Sequence, residues 1–368
     1  MKISSISIYQ LTLPLTKPYR LSGGRLLFEE LDSTIVRIDT DAGISGWGEG
    51  CPWGASYLPG HGRGVRAAIA EFAPSLLGQD PRRTDRIDRQ MDLALPGHGY
   101  AKSPVDIACW DILGKATGLP ICELLGGREE GGTAIASSVS TAGPEEMLAE
   151  INSYRARGYH AHSAKVGADV VLDIQRVRLL AGDIRPGELI FFDVNRAWLA
   201  HEAIQVMNAT GDLPIFFEQP CETLDEIAMV RTHTRQPISI DEGLKNFSDL
   251  LRIQHQGLGE IANIKLGRVG GLSKARRMRD FCAATGMAML IMDTGGTVLA
   301  DTAVQHLAQT LPAHLRLGTW LCQELLTIDT APQAGSRNIG GKAFAPQAPG
   351  LGVAPDPAVL GEAVAIYT

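Results

Sequence analysis

Hydrophobic and polar positions follow one rhythm in the first third of the chain and another after about Thr133. From Ile3 to Leu13 they alternate with the two-residue period of a strand, a Gly-rich turn follows at Ser22-Gly23-Gly24, and Ser33-Thr34-Ile35-Val36-Arg37-Ile38 predicts a second strand. Helical spacing then takes over at Gly64 to Leu77 and again from Pro104 to Ala116, which carries Ile107, Trp110 and Leu113. Leu124-Leu125-Gly126-Gly127 closes the region in the manner of a helix C-terminus. These elements predict an α+β domain over residues 1–130.

Beyond Thr133, short apolar runs alternate with longer amphipathic stretches. The runs are Ala134–Val139, Ala161–Val166, Leu189–Val194, Pro214–Phe217, Ile238–Ile240, Ile261–Leu266, Met287–Met292 and Leu315–Leu321. Helical patterns such as Pro144–Arg157, Val171–Gly182, His201–Thr210 and Leu272–Thr285 lie between them. Short buried strands separated by helices are the pattern of a (β/α) barrel, expected over residues 131–327, and make the fold class α/β. The tail, residues 328–368, is rich in Gly, Pro and Ala and is expected to fold back over the first domain.

Composition narrows the partners. The 368 residues carry 34 Lys plus Arg against 41 Asp plus Glu, a net charge of −7, so no electrostatic footprint for nucleic acid exists. The longest apolar run near the strands, Met287–Met292, is far too short to cross a bilayer, and the start lacks the apolar core of a signal peptide. The cysteines (Cys51, Cys109, Cys122, Cys221, Cys282, Cys322) are scattered, with no Cys-x-x-Cys pair, and are expected to be reduced. No Cys/His cluster has the spacing of a zinc site. A cytoplasmic protein without nucleic-acid or membrane partners is expected.

The charges at the ends of the runs carry the chemistry. Lys165, Asp193, Glu218, Asp241, Lys265 and Asp293 each stand at or just after the end of an apolar run, where a barrel places its functional groups. A charge there costs several kcal/mol of desolvation unless it is paired or binds an ion. One such residue reads equally well as a structural ion pair; six in register point to a site. Strands three, four and five are neighbours, so Asp193, Glu218 and Asp241 are expected to converge, and carboxylates that meet raise one another's pKa unless a cation joins them. Hard oxygen ligands with room for water and substrate suit Mg²⁺. Strands two and six lie across the ring, so Lys165 and Lys265 would flank that cation as bases on opposite faces of one carbon. The arrangement describes removal of a proton next to a carboxylate, with the metal stabilising the enediolate.

These residues are also where a family becomes recognisable. Lys165 in Ser163-Ala164-Lys165-Val166-Gly167, Asp193 in Asp193-Val194-Asn195, Glu218 in Glu218-Gln219-Pro220, Asp241 in Asp241-Glu242 and Lys265 in Ile264-Lys265-Leu266-Gly267-Arg268-Val269-Gly270-Gly271 resemble the enolase superfamily, muconate-lactonizing-enzyme subgroup, along the whole chain. The resemblance implies a capping α+β domain built from both chain ends, a modified (β/α)₇β barrel, Mg²⁺ on Asp193, Glu218 and Asp241, catalytic Lys165 and Lys265, support from Asn195 and Glu242, and a homo-oligomer. Two positions depart from the subgroup. Ser163 replaces the first lysine of Lys-x-Lys, and Gly295 stands where related proline-derivative enzymes carry Trp, which is expected to enlarge the pocket.

Within the subgroup, Cys51-Pro52-Trp53-Gly54-Ala55-Ser56-Tyr57, Gly97-His98-Gly99-Tyr100-Ala101-Lys102 and Trp320 resemble enzymes acting on proline betaine, hydroxyproline betaine and hydroxyprolines. That implies a small carboxylate substrate whose ammonium faces Trp320, with Tyr57 completing an aromatic cage and Asp293 supplying countercharge. Gly318-Thr319-Trp320-Leu321 lacks the Asp-x-Asp of the dipeptide epimerases. The favoured reading is a racemase or epimerase of a cyclic or N-substituted α-amino acid; the alternative is dehydration of a 3-hydroxyproline through the same enediolate. A non-catalytic binding protein on this fold is the third reading.

Overall fold

The computed structural model covers residues 1–368. Its first strand, Ile3–Leu21, runs well past Leu13 and pairs antiparallel with Leu26–Thr40. The pairing slips between Pro14 and Tyr19, a bulge that breaks the alternation and hides the second half of the strand from sequence reading. Ser22–Gly24 forms the turn at the tip of this long hairpin. Ser45–Gly50 and the C-terminal strand Ala365–Tyr367 complete a four-stranded antiparallel sheet, the latter pairing with Ile6–Ile8. Helices Gly62–Leu76, Thr84–Ala94 and Gly99–Thr117 belong to the same domain. The last of them starts five residues before Pro104, although proline usually marks a first turn. It lies so close to the sheet that a Cβ on Gly48 would stand 2.0 Å from the Pro104 carbonyl oxygen.

The barrel strands are Ala136–Val139, Ala161–Lys165, Leu189–Asp193, Phe216–Glu218, Ile238–Ile240, Ile261–Lys265, Ala288–Met292 and Arg316–Gly318, all parallel and adjacent in chain order. They are called strands one to eight below. The ring closes where the Ala136 amide donates to Thr319 O at 2.7 Å and the Thr319 amide donates to Ala134 O at 2.9 Å. A helix follows every strand but the last, so the barrel is (β/α)₇β. Strand four starts later than the apolar run Pro214–Phe217 and includes Glu218, while strand eight is only Arg316–Gly318, leaving Trp320 beyond its end.

The strand faces that look outward pack with the helices into the largest core, whereas a small cluster inside the barrel is built on Phe191 stacked on Phe216 at 4.9 Å. The tail divides its loyalties. Ala331, Leu351, Val353 and Leu360 join the largest core, which also takes in Ile35, Trp47 and Trp110 of the capping domain; the Leu351 amide donates to Asp111 Oδ1 at 2.7 Å, and the closing strand pairs with the capping sheet. All six cysteines are buried and unpaired. No helix is long and apolar enough to cross a membrane.

Candidate active site

Side chains alternate along a strand, so Ser163 and Lys165 of strand two face the barrel interior and His162 faces the helices. His162 meets Ser137 there (Nδ1 to Oγ, 2.9 Å), and burial lowers its pKa to about 4. In register, Lys165 pairs with Asp193 and Asp193 with Glu218, so three successive strands deliver charges at one level. All three line one small cavity at the barrel mouth, together with Lys265 from across the ring.

Each lysine is held by a carboxylate. The Lys165 ammonium donates to Asp193 Oδ2, an atom that also accepts from Asn195 Nδ2 at 3.1 Å. Lys265 Nζ donates to Asp241 Oδ2 at 2.7 Å, while Arg268 donates to Asp241 Oδ1 at 2.6 Å. Burial is the largest influence and disfavours the charge on both lysines, but Asp193 with Tyr19 and Glu218 around Lys165, and Asp241 with Glu242 and Glu218 around Lys265, together outweigh it and the net pKa shift is upward. Burial likewise pushes Asp241 up, and Lys265 with Arg268 overcomes it and holds the carboxyl low.

Glu218 has no such partner. Asn263 Nδ2 donates to its Oε1 at 2.9 Å, but its buried Oε2 accepts from nothing. Burial, then the charges of Asp193 and Asp241, raise its pKa well above the ordinary carboxylate range. The carboxylates are not drawn into a ready coordination shell, because Asp193 and Asp241 turn to the lysines. Asp241 also lies behind Lys265 rather than on the cavity wall. Yet Glu218 Oε2, Asn195 Oδ1 and Glu242 Oε2 are all buried acceptors without a donor. An acidic pocket with unspent oxygens fits a hard divalent cation.

The capping domain seals this mouth. Tyr57 donates its hydroxyl to Glu242 Oε1 at 2.5 Å, and Arg196 grips the same loop through Tyr57 O at 2.7 Å. The Arg196 guanidinium lies 5.2 Å over the Tyr57 ring, so one face of that ring is already occupied by a cation. Asn195 and Arg196 adopt left-handed backbone, at φ 46° and 65°, to present these contacts right after Asp193. Trp320 reaches the cavity and tilts against Trp53 at 5.8 Å.

Two expectations need correction. Asp293 does not line the cavity: Met292 is the residue in register with Lys265, so its successor turns away. The Asp293 carboxylate instead accepts from the Gly267 amide at 3.0 Å and the Thr294 amide at 2.7 Å, and burial raises its pKa to about 7. Gly295 does not enlarge the pocket either. A Cβ there would meet Leu31 Cδ1 at 3.1 Å and Cys51 at 3.3 Å, so neighbouring residues fill the space a larger side chain would take.

Two family models match the two domains. Residues 146–359 match the family described as enolase C-terminal domain-like, and residues 6–126 match the mandelate racemase / muconate lactonizing enzyme N-terminal domain.

The chain belongs to the enolase superfamily.

It is 40% identical to the cis-3-hydroxy-L-proline dehydratase of Roseibium aggregatum, over 100% of both chains. It is 31% identical to the N-succinyl-L-Arg/Lys racemase of Bacillus cereus, over 84% of each. A solved enolase-superfamily structure from Roseovarius nubinhibens, complexed with magnesium, superposes with a TM-score of 0.95 at 50% identity, covering 100% of this chain and 99% of that one. The protein is thus an enzyme of a superfamily whose relatives include both lyases and isomerases.

Sequence reading missed several wall residues of this enolase-superfamily site. Tyr19 and Leu21 arrive on the far half of the capping hairpin, and Ser138, Phe191, Met292 and Thr294 complete the wall. The barrel residues among them carried a usable signal, since Ser138 and Phe191 alternate inward along strands already located.

Proposed function

We propose that the enzyme is a Mg²⁺-dependent racemase or epimerase that moves the α-proton of a proline-type amino acid or its betaine. The observation that carries this reading is that Lys165 and Lys265 line one small cavity from strands two and six, which stand across the ring from each other. A carboxylate substrate bound between them presents one face of its α-carbon to each lysine. One lysine takes the proton from its face, and the other returns a proton to the opposite face, inverting the centre. Asp193, Glu218 and Asp241 would hold Mg²⁺, which supplies the positive charge that stabilises the enediolate and draws carboxylate charge away from the lysines.

Asn195 and Glu242 support this set from behind, and the Tyr57 loop keeps bulk water out of the mouth. Trp53 and Trp320 offer aromatic surface to the substrate's ammonium end. The small enclosed space left under the capping hairpin favours a compact ring over an extended dipeptide.

A second reading, elimination of a β-hydroxyl after the same proton abstraction, is favoured by the full-length likeness to a cis-3-hydroxy-L-proline dehydratase. Incubation of the Mg²⁺-loaded enzyme with proline betaines, prolines and hydroxyprolines in D₂O, followed by proton NMR, tests both. Deuterium at Cα with inversion supports the racemase or epimerase. Loss of water with formation of a cyclic imine supports the dehydratase, and no Cα exchange with any of these acids removes the proposal.

A further inference from the structure

Lys165 and Lys265 sit under different parts of the capping domain. The loop after Lys165 carries the hairpin tip, where Gly23 rests on Gly167. The short helical turn after Lys265, Leu266–Val269, lies instead under the start of the capping helix Gly99–Thr117. The fit there is close: a Cβ on Gly99 would stand 2.2 Å from the Arg268 carbonyl oxygen, and one on Gly267 would stand 3.0 Å from the Tyr100 ring.

About two turns further along the capping helix, Asp106 reaches the barrel helix Leu272–Thr285. Asp106 Oδ2 accepts from the Ser273 amide at 2.9 Å and Oδ1 accepts from Ser273 Oγ at 2.5 Å, while the Trp110 indole N–H donates to the same Oγ at 2.9 Å. Asp106 and Ser273 are both fully buried. The barrel helix begins after Gly271, which has no side chain to cap it. Asp106 supplies that cap from the other domain, as a carboxylate placed where the free amides and the dipole of a helix N-terminus favour it. Only the stretch Leu266 to Leu272 separates Ser273 from Lys265, and Arg268 within it donates to Asp241, the carboxylate that holds Lys265. This stretch is buried and close-packed, so fixing its far end constrains the lysine at its near end.

We propose that Asp106 is a positioning residue for Lys265, acting through Ser273, so that the capping domain sets the base on one face through helix Gly99–Thr117 and the base on the other face through its hairpin. Asp106 does not line the cavity and acts without touching substrate. The inference rests on the reading of Lys165 and Lys265 as bases on opposite faces of one carbon.

The test follows Cα exchange by NMR in D₂O on the Mg²⁺-loaded enzyme, with both enantiomers of proline and proline betaine and both Cα epimers of the hydroxyprolines. Lys265→Ala identifies the enantiomer that Lys265 serves. Asp106→Ala should lower kcat for exchange of that enantiomer about ten- to a hundredfold with KM nearly unchanged, and should change exchange of the other by less than about twofold, the scale and the one-sidedness of a displaced base. Asp106→Asn, which keeps an oxygen for the Ser273 amide, should recover most of the loss. Ser273→Ala removes only the hydroxyl shared by Asp106 and Trp110, and should show the same one-sided loss on a smaller scale; it decides the matter if melting shows that Asp106→Ala does not fold. Equal losses for both enantiomers, or folded variants with unchanged exchange, would overturn the positioning role while leaving the two-base reading intact. A wild type that exchanges neither enantiomer of these acids, or only one, would overturn that reading and the positioning role with it.

Discussion

Gly23, at the tip of the capping hairpin, rests on Gly167 so closely that a Cβ on Gly23 would stand 2.2 Å from the Gly167 carbonyl oxygen. Gly23 also has φ +64°, a conformation L side chains rarely adopt. Beside it, Ser22 Oγ donates to Asn195 O at 2.9 Å. The hairpin is therefore seated on the loops that follow Lys165 and Asp193, and the same hairpin delivers Tyr19 and Leu21 to the cavity.

Gly23→Ala should unseat this turn. The left-handed backbone costs an alanine about 1–2 kcal/mol, and the clash is with backbone that has no rotamer to escape into. We expect kcat/KM to fall at least about tenfold, since about 1.4 kcal/mol of lost closure already gives that factor. The melting temperature should move far less, because the tip lies outside the main cores. Unchanged kcat/KM would mean that the turn need not close for turnover.

Lys265→Ala separates the two bases. With Lys165 left on its own face, one enantiomer should still exchange its α-proton with solvent deuterium while inversion stops. The other enantiomer should lose exchange by several orders of magnitude, in line with the contribution of a positioned base of about 10²–10⁴-fold or more. Loss of exchange for both, with Mg²⁺ still raising the melting temperature, would show that one lysine only stabilises charge.

Glu218→Gln addresses the cation. Glu218 is buried, has an unpartnered Oε2 and is repelled by Asp193 and Asp241. A neutral amide relieves that repulsion, so in excess chelator the variant should melt no lower than the wild type. Mg²⁺ should raise the wild-type midpoint, because a ligand that binds only the folded state stabilises it, and should leave the variant nearly unmoved. An equal Mg²⁺ shift in both proteins would place the cation elsewhere.

The charges legible in the sequence are those whose strand position repeats. Lys165, Asp193 and Glu218 end three successive paired strands, so an apolar run followed by a charge was enough to find them. Asp293 shows the same local pattern and points the other way, because register rather than adjacency decides the face: Met292 is level with Lys265. Tyr19 was invisible for two reasons. The bulge between Pro14 and Tyr19 destroys its strand's alternation, and its partner Ser138 is far away in the chain. Gly295 misled through a comparison of residue types alone, since the volume at that position is set by Leu31 and Cys51 from the capping domain.

The last prediction concerns how the fold responds to acid, through His306. This residue is fully buried on helix Val298–Ala308, where its Nδ1 accepts from the Cys122 amide at 3.2 Å and its Nε2–H donates to Leu351 O at 3.0 Å. One acceptor and one donor nitrogen require the neutral ring. Burial accordingly lowers its pKa from 6.5 to about 4, against a small opposing pull from the Leu351 carbonyl. The unfolded chain takes up this proton below about pH 6.5 and the folded one only near pH 4, so over that window the unfolded state holds more protons. Stability supplied by the neutral ring is therefore complete above pH 6.5 and is lost as pH falls. At about 1.4 kcal/mol per pH unit for one proton, moving from pH 7.5 to pH 5 should remove roughly 2 kcal/mol through this group. His306→Gln does not titrate. Its stability deficit relative to wild type, read from urea unfolding, should shrink by that amount at pH 5. Taking the difference between the two proteins cancels the opposite contribution of buried carboxyls such as Asp106, whose pKa burial raises to about 7. A deficit of the same size at both pH values would mean that His306 is not a source of acid sensitivity.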